Sequence, residues 1–130
     1  MGTDTILVVD DDAGQRRELV SLLSRQGFRT VEAEDAATAL ARARADSPAA
    51  AILDVLLPGP DGVTLLAWLK AVDPDIAAVM LTGQRDLNTA VTCMSKGADG
   101  FLVKPVADPE VLAVLRRALE RRRLVLDHRV

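Results

Sequence analysis

The stretch Ile6-Leu7-Val8-Val9-Asp10-Asp11-Asp12 decides the fold. Four consecutive apolar residues running straight into three acids predict a strand buried on both faces that ends at a polar sheet edge. The same grammar recurs four times. Residues 30–33, 50–53, 77–81 and 101–103 read as further strands, and three of the five are too uniformly apolar to have a wet face, which places them mid-sheet. Between them, 13–26, 36–45, 63–72, 87–96 and 109 to about 125 read as helices. Leu19, Leu22 and Leu23 form an apolar stripe on the first helix, and Gly27 suits its C-terminal cap. Asp35, Asp86 and Asp108 are the expected N-caps of the second, fourth and fifth helices, with Pro109 at the first helical position of the last. Pro58, Gly59, Pro60 and Gly62 mark a turn before the third helix, and Pro74 stops it. Strict alternation of strand and helix implies parallel strands with right-handed crossovers, hence an open α/β sheet with helices on both faces.

Composition removes several classes of function. The chain has 130 residues, 49% hydrophobic and 27% charged, enough for one domain with a core. A single cysteine, Cys93, rules out an internal disulfide framework or a multi-cysteine zinc site and reads as a buried hydrophobe. The sole histidine, His128, lies at the chain end, which excludes Ser-His-Asp chemistry. A net charge of −3 and only Phe28, Trp68 and Phe101 as aromatics give no general attraction to nucleic acid and no base-stacking platform. No apolar run reaches the ~18 residues of a membrane span and no secretion signal opens the chain, so a soluble cytoplasmic protein is expected.

Ligands in such sheets bind beyond the carboxyl ends of the strands. Asp10, Asp11 and Asp12 follow the first strand and Asp54 follows the third, so they should converge. Carboxylates at one sheet edge repel one another and call for a cation, a proton or capping roles. Asp12 suits the N-cap of the first helix, but Asp10 and Asp11 cannot both be caps, and Asp54 runs into apolar Val55-Leu56-Leu57. An all-oxygen, histidine-free donor set points to Mg²⁺. Thr82 closes the fourth strand, with Gly83 after it, and Lys104 closes the fifth, with Pro105 after it. Acids for a metal, one isolated Asp, a hydroxyl and an ammonium are the groups that a phosphoryl group on Asp54 would need around its oxygens.

On these segments, together with Asp54 to Gly62, Leu81-Thr82-Gly83, Gly97-Ala98-Asp99 and Phe101-Leu102-Val103-Lys104-Pro105, the chain resembles the receiver domains of two-component response regulators. The resemblance covers nearly the whole sequence. It implies a flavodoxin-like, doubly wound (βα)5 fold with strand order 2-1-3-4-5, a receiver over 1–120, and a 121–130 extension of the last helix leading to a possible output domain. It makes Asp54 the acceptor of a phosphoryl group from a histidine kinase or phosphotransfer protein, with any output enzyme outside this chain. Asp11, Asp54 and the backbone carbonyl of Leu56 would ligate Mg²⁺, with Asp10 acting through a water. Lys104 would pair with Asp54 at rest and with a phosphoryl oxygen afterwards, across a cis bond to Pro105, while Thr82 and Phe101 would form the switch.

Some residues depart from the family pattern. Phe101 stands where Tyr is commoner, so its inward state gains packing but no hydrogen bond. Gly100 follows Asp99 where many relatives that dimerise through the last two helices and fifth strand carry two acids, which weakens the case for that homodimer, although Arg116 and Arg117 remain available to Asp99. Leu56 and Gln84 flank the site where the family tunes hydrolysis, and Leu56 has nothing to orient a water. Leu112, Leu115, Leu119, Arg122 and Leu126 recur at steps of three and four, suggesting either a signalling helix or a plain overhang with a solvated Arg-rich face. Arg121 to Arg123 suit a helix C-terminus and are not read as binding DNA. A haloacid-dehalogenase-type phosphatase using Asp10 and Asp12 is disfavoured by Gly14 after that pair and by the short chain. An FMN-binding flavodoxin lacks its Ser/Thr-rich loop, and a degenerate docking receiver would not keep all five site residues.

Overall fold

The computed structural model describes residues 3–83 and 86–129. Five strands, β1 (Thr5–Val9), β2 (Arg29–Ala33), β3 (Ala50–Leu53), β4 (Ala77–Thr82) and β5 (Gly100–Val103), alternate with five helices. These are α1 (Ala13–Arg25), α2 (Ala36–Asp46), α3 (Gly62–Val72), α4 (Leu87–Ser95) and α5 (Asp108–Asp127). All pairings are parallel, and the strand order is β2-β1-β3-β4-β5. The three uniformly apolar strands, β1, β3 and β4, are the inner ones.

Period-two alternation sorts each inner strand between two cores. Leu7, Val9, Ala51, Leu53, Ala78 and Met80 pack with Ala36, Ala39 and Ala43 of α2, Leu65, Leu66 and Leu69 of α3, and Cys93 of α4. Ile6, Val8, Ala50, Ile52, Val79 and Leu81 pack with Leu22 and Leu23 of α1 and with Val111, Leu112, Leu115 and Ala118 of α5. The sheet is therefore a middle layer, with α1 and α5 on one side and α2, α3 and α4 on the other.

Asp12, Asp35, Asp61 and Asp86 cap α1 to α4, each accepting a backbone N–H of the first turn. The fifth cap differs from expectation by one residue. Ala107 is the N-cap of α5 and has no side-chain cap bond, so Asp108 lies inside the helix, where with Glu110 it puts negative charge in the first turn. Gly27 takes a φ of 91° just beyond α1, a conformation open to glycine without strain.

The α5 stripe is largely domain core in its first half: Leu112 and Leu115 are buried and Leu119 packs against the same cluster. Arg121 to Arg123 lie before the last turn, not in it, because α5 runs on to Asp127. Arg123 pairs instead with Glu120 (2.5 Å) and Asp127 (3.1 Å), while Arg129 pairs with Asp75 in the loop before β4. Arg116 donates to Gln26 (2.8 Å), and Asp99 is engaged by Lys70 (3.4 Å) and Arg121 (3.9 Å) rather than by Arg116 or Arg117. Both long cations reach Asp99 from neighbouring helices, which sequence spacing does not reveal.

Candidate functional site

The sheet's hydrogen bonding continues one rung past the strand ends and fixes the residues that follow them. Asp10 N–H donates to Ala33 O (3.2 Å), Asp54 N–H to Val9 O (3.0 Å) and Lys104 N–H to Thr82 O (2.8 Å). Asp10, Asp54, Thr82 and Lys104 thus share one edge on rigid backbone. Asp10 and Asp54 are buried with 8% and 9% of their surface exposed, and Thr82 is fully buried.

The two buried acids are held alike. Each uses Oδ1 to accept the backbone N–H two residues on, from Asp12 to Asp10 (2.9 Å) and from Leu56 to Asp54 (3.0 Å). Each directs Oδ2 at the Lys104 ammonium, in both cases at 3.0 Å. A third acceptor, Gln15 Oε1 from the first turn of α1, lies 2.5 Å from the same nitrogen. Burial works against the Lys104 charge, yet the hydrogen bonds to Asp10 and Asp54 and their negative charges hold its pKa above the ordinary 10.5. One cation between two carboxylates offsets the repulsion that otherwise opposes their convergence.

Other expected residues lie around this core. Asp11 is exposed on the rim, and Leu56 is 57% exposed beside Asp54. Phe101 is half-buried against the α2–α3–α4 core and pairs in register with Met80. The Lys104–Pro105 bond is cis. Gln84 lies outside the described residues. Among the described residues, no three His, Cys, Asp or Glu side chains form a preformed metal cage. The oxygens of Asp10, Asp11, Asp54 and the Leu56 carbonyl nonetheless suit Mg²⁺, which takes one or two carboxylates and keeps several waters.

Two supporting residues had no signal in the sequence. Arg16 donates from Nη1 to the backbone oxygen of Asp10 (2.7 Å) and from Nε to Glu32 (3.0 Å), tying α1 to the acidic turn and to β2. Gln15 sits among polar residues on an exposed turn, and nothing local marks it as a partner of Lys104.

A family model for the response regulator receiver domain matches residues 6–116. The chain belongs to the response regulator receiver domain family. This receiver is 35% identical over 125 residues to the C4-dicarboxylate transport transcriptional regulatory protein DctD of Rhizobium meliloti, covering 96% of this chain and 27% of that protein. It is 37% identical over 122 residues to the response regulator MprA of Mycobacterium ulcerans, covering 94% of this chain and 53% of MprA. Its fold matches a CheY-like receiver domain protein from Methanospirillum hungatei JF-1 with a TM-score of 0.90 at 27% identity, over 94% of this chain and 98% of the other. It also matches NtrX from Brucella abortus with a TM-score of 0.91 at 35% identity, over 97% of this chain and 29% of NtrX. The receiver spans 27% of DctD and 53% of MprA, well under the whole length of either. Its role is that of the phosphorylation-responsive module of a two-component response regulator. Among the described residues, no helix is long and apolar enough to cross a membrane.

Proposed function

We propose that Asp54 is the phosphoacceptor of this receiver. The observation that carries the reading is the shared cation: Lys104 Nζ stands 3.0 Å from Oδ2 of both Asp54 and Asp10 at the carboxyl edge of the sheet. A carboxylate oxygen of Asp54 attacks the phosphorus of a phosphohistidine on a sensor histidine kinase or phosphotransfer protein. The P–O bond forms as the P–N bond breaks, and the departing imidazole nitrogen takes up a proton. The new acyl phosphate brings about −2 charge and three acceptor oxygens into the site. Lys104 then donates to one of these oxygens and the Thr82 hydroxyl to another, while Phe101 turns inward as Thr82 shifts. The domain catalyses this transfer and the later hydrolysis on itself and turns over no separate substrate.

Mg²⁺ is the cofactor that the all-oxygen donor set fits; Asp11, Asp54 and the Leu56 carbonyl would hold it, with Asp10 acting through a water. When bound, such an ion neutralises charge developing on the transferring phosphoryl oxygens.

The phosphorylated domain controls an output domain or a separate partner, with residues 1–120 as the receiver and 121–130 as an extension of the last helix toward a possible output domain, in the cytoplasm and without direct contact to nucleic acid. Leu87, Val91 and Met94 lie on one side of α4, 77%, 59% and 47% exposed, which supports a partner or homodimer face formed by α4, β5 and α5. Asp99 already accepts the Ala78 N–H (2.8 Å) and pairs with Lys70, so such a face would rest on apolar contact more than on an Asp99 salt bridge.

The test is incubation with acetyl phosphate, with and without Mg²⁺, followed by intact-mass analysis. The expected result is gain of one phosphoryl group only with Mg²⁺ and not in Asp54→Asn; labelling of that variant at the wild-type rate would refute the assignment.

A further inference from the structure

A lysine ammonium has three N–H donors, and Lys104 meets three acceptors from three elements: Asp10 after β1, Asp54 after β3, and Gln15 in α1. Two of these acceptors are committed elsewhere in the proposed reaction, on which this inference rests. Asp54 becomes esterified, and Asp10 would be shared with the water shell of a bound cation. Gln15 is neutral and does neither, so it can remain on the ammonium from the resting state through transfer.

Its own placement is fixed from both sides. The Gln15 backbone N–H donates to Asp12 Oδ1 (2.9 Å), the bond that caps α1, and the adjacent Arg16 clamps the Asp10 carbonyl oxygen at 2.7 Å. This anchors the base of the side chain beside the acids, from where its Oε1 reaches the Lys104 ammonium.

We propose that Gln15 is a positioning residue for phosphotransfer, holding the third N–H of Lys104 so that another stays aimed at the oxygen arriving on Asp54. Released from Gln15, the ammonium is free to turn toward water at the exposed rim, and part of its preorganisation is lost.

The test follows the rate of phosphoryl gain from acetyl phosphate, in which acetate leaves as the bond to Asp54 forms, at fixed Mg²⁺ in the full chain. Gln15→Met keeps the length and apolar stem but removes the acceptor. It should slow labelling about 3- to 10-fold, as expected for loss of one ordinary hydrogen bond at a solvent-accessible position, with an unchanged thermal midpoint because Gln15 is exposed. Gln15→Glu restores an oxygen at the same reach and should recover at least half of the wild-type rate. A Gln15→Met rate within twofold of wild type, or a Gln15→Glu rate as slow as that of the Met variant, overturns the proposal. Wild-type protein that gains no phosphoryl group overturns both the Asp54 reading and this one, whereas normal wild-type labelling with an unaffected Met variant overturns this one alone.

Discussion

A Cβ placed on Gly62 would lie 2.0 Å from the backbone oxygen of Asp54. The first residue of α3 therefore rests directly on the peptide that follows the proposed acceptor, and its N–H donates to Val55 O at 2.7 Å. Neither neighbour is a flexible side chain end, so no small movement relieves the contact. Gly62→Ala should cost about 3 kcal/mol or more of stability, at the high end of overpacking changes, measured by urea unfolding. A loss below about 1 kcal/mol would show that the loop between Asp54 and α3 adjusts freely.

Gly100 has a steric reason of the same kind. A Cβ there would meet Val114 Cγ1 at 2.6 Å, with Val79 methyls at 3.8 and 3.9 Å. The absence of a second acid beside Asp99 thus follows from how closely α5 packs on β5. Gly100→Asp should destabilise by about 2 kcal/mol, and adding Val114→Ala should recover a good part of that, because the two changes share one contact. Strictly additive losses in equilibrium unfolding would contradict this account.

The strands were readable because burial on both faces leaves no polar positions: Ile6 to Val9, Ala50 to Leu53 and Ala77 to Leu81 announce an inner sheet by composition alone. The acids, Thr82 and Lys104 were readable because each directly follows or ends a strand, where topology brings distant residues together. What stayed hidden depends on long side chains crossing between elements. Gln15 reaching Lys104, Arg16 reaching Glu32 and Lys70 reaching Asp99 all join residues well separated in the chain, and a polar or charged side chain carries no mark of its partner. The shift of the α5 cap from Asp108 to Ala107 is a boundary effect of the kind that capping patterns leave open by one residue.

Cys93 is fully buried in the α2–α3–α4 core, and burial, reinforced by the charge of Asp61, pushes its thiol above the ordinary 9.0. The unfolded chain releases this proton from about pH 9 while the folded chain retains it, so the associated stability is present below pH 9 and is lost as pH rises further. Unfolding free energy should therefore fall more steeply above pH 9 in wild type than in Cys93→Ala. At pH 8 a thiol reagent should label the protein only after denaturation; rapid labelling of the native protein would contradict the burial.

Leu56, more than half exposed beside Asp54, offers no polar group to orient an attacking water. The phosphorylated form should outlast that of Leu56→Asn by about threefold or more, since one positioned polar group is an effective aid to water attack. The decay of the acyl phosphate after removal of the donor measures this, and equal lifetimes would remove Leu56 from the account.

The central claim concerns which carboxylate carries the phosphoryl group. Borohydride reduction of the freshly phosphorylated protein converts an aspartyl phosphate into homoserine, which peptide mass spectrometry locates. The account predicts homoserine at position 54 and nowhere else. Homoserine at position 10 or 11, or unmodified aspartate throughout after saturating donor and Mg²⁺, would contradict it.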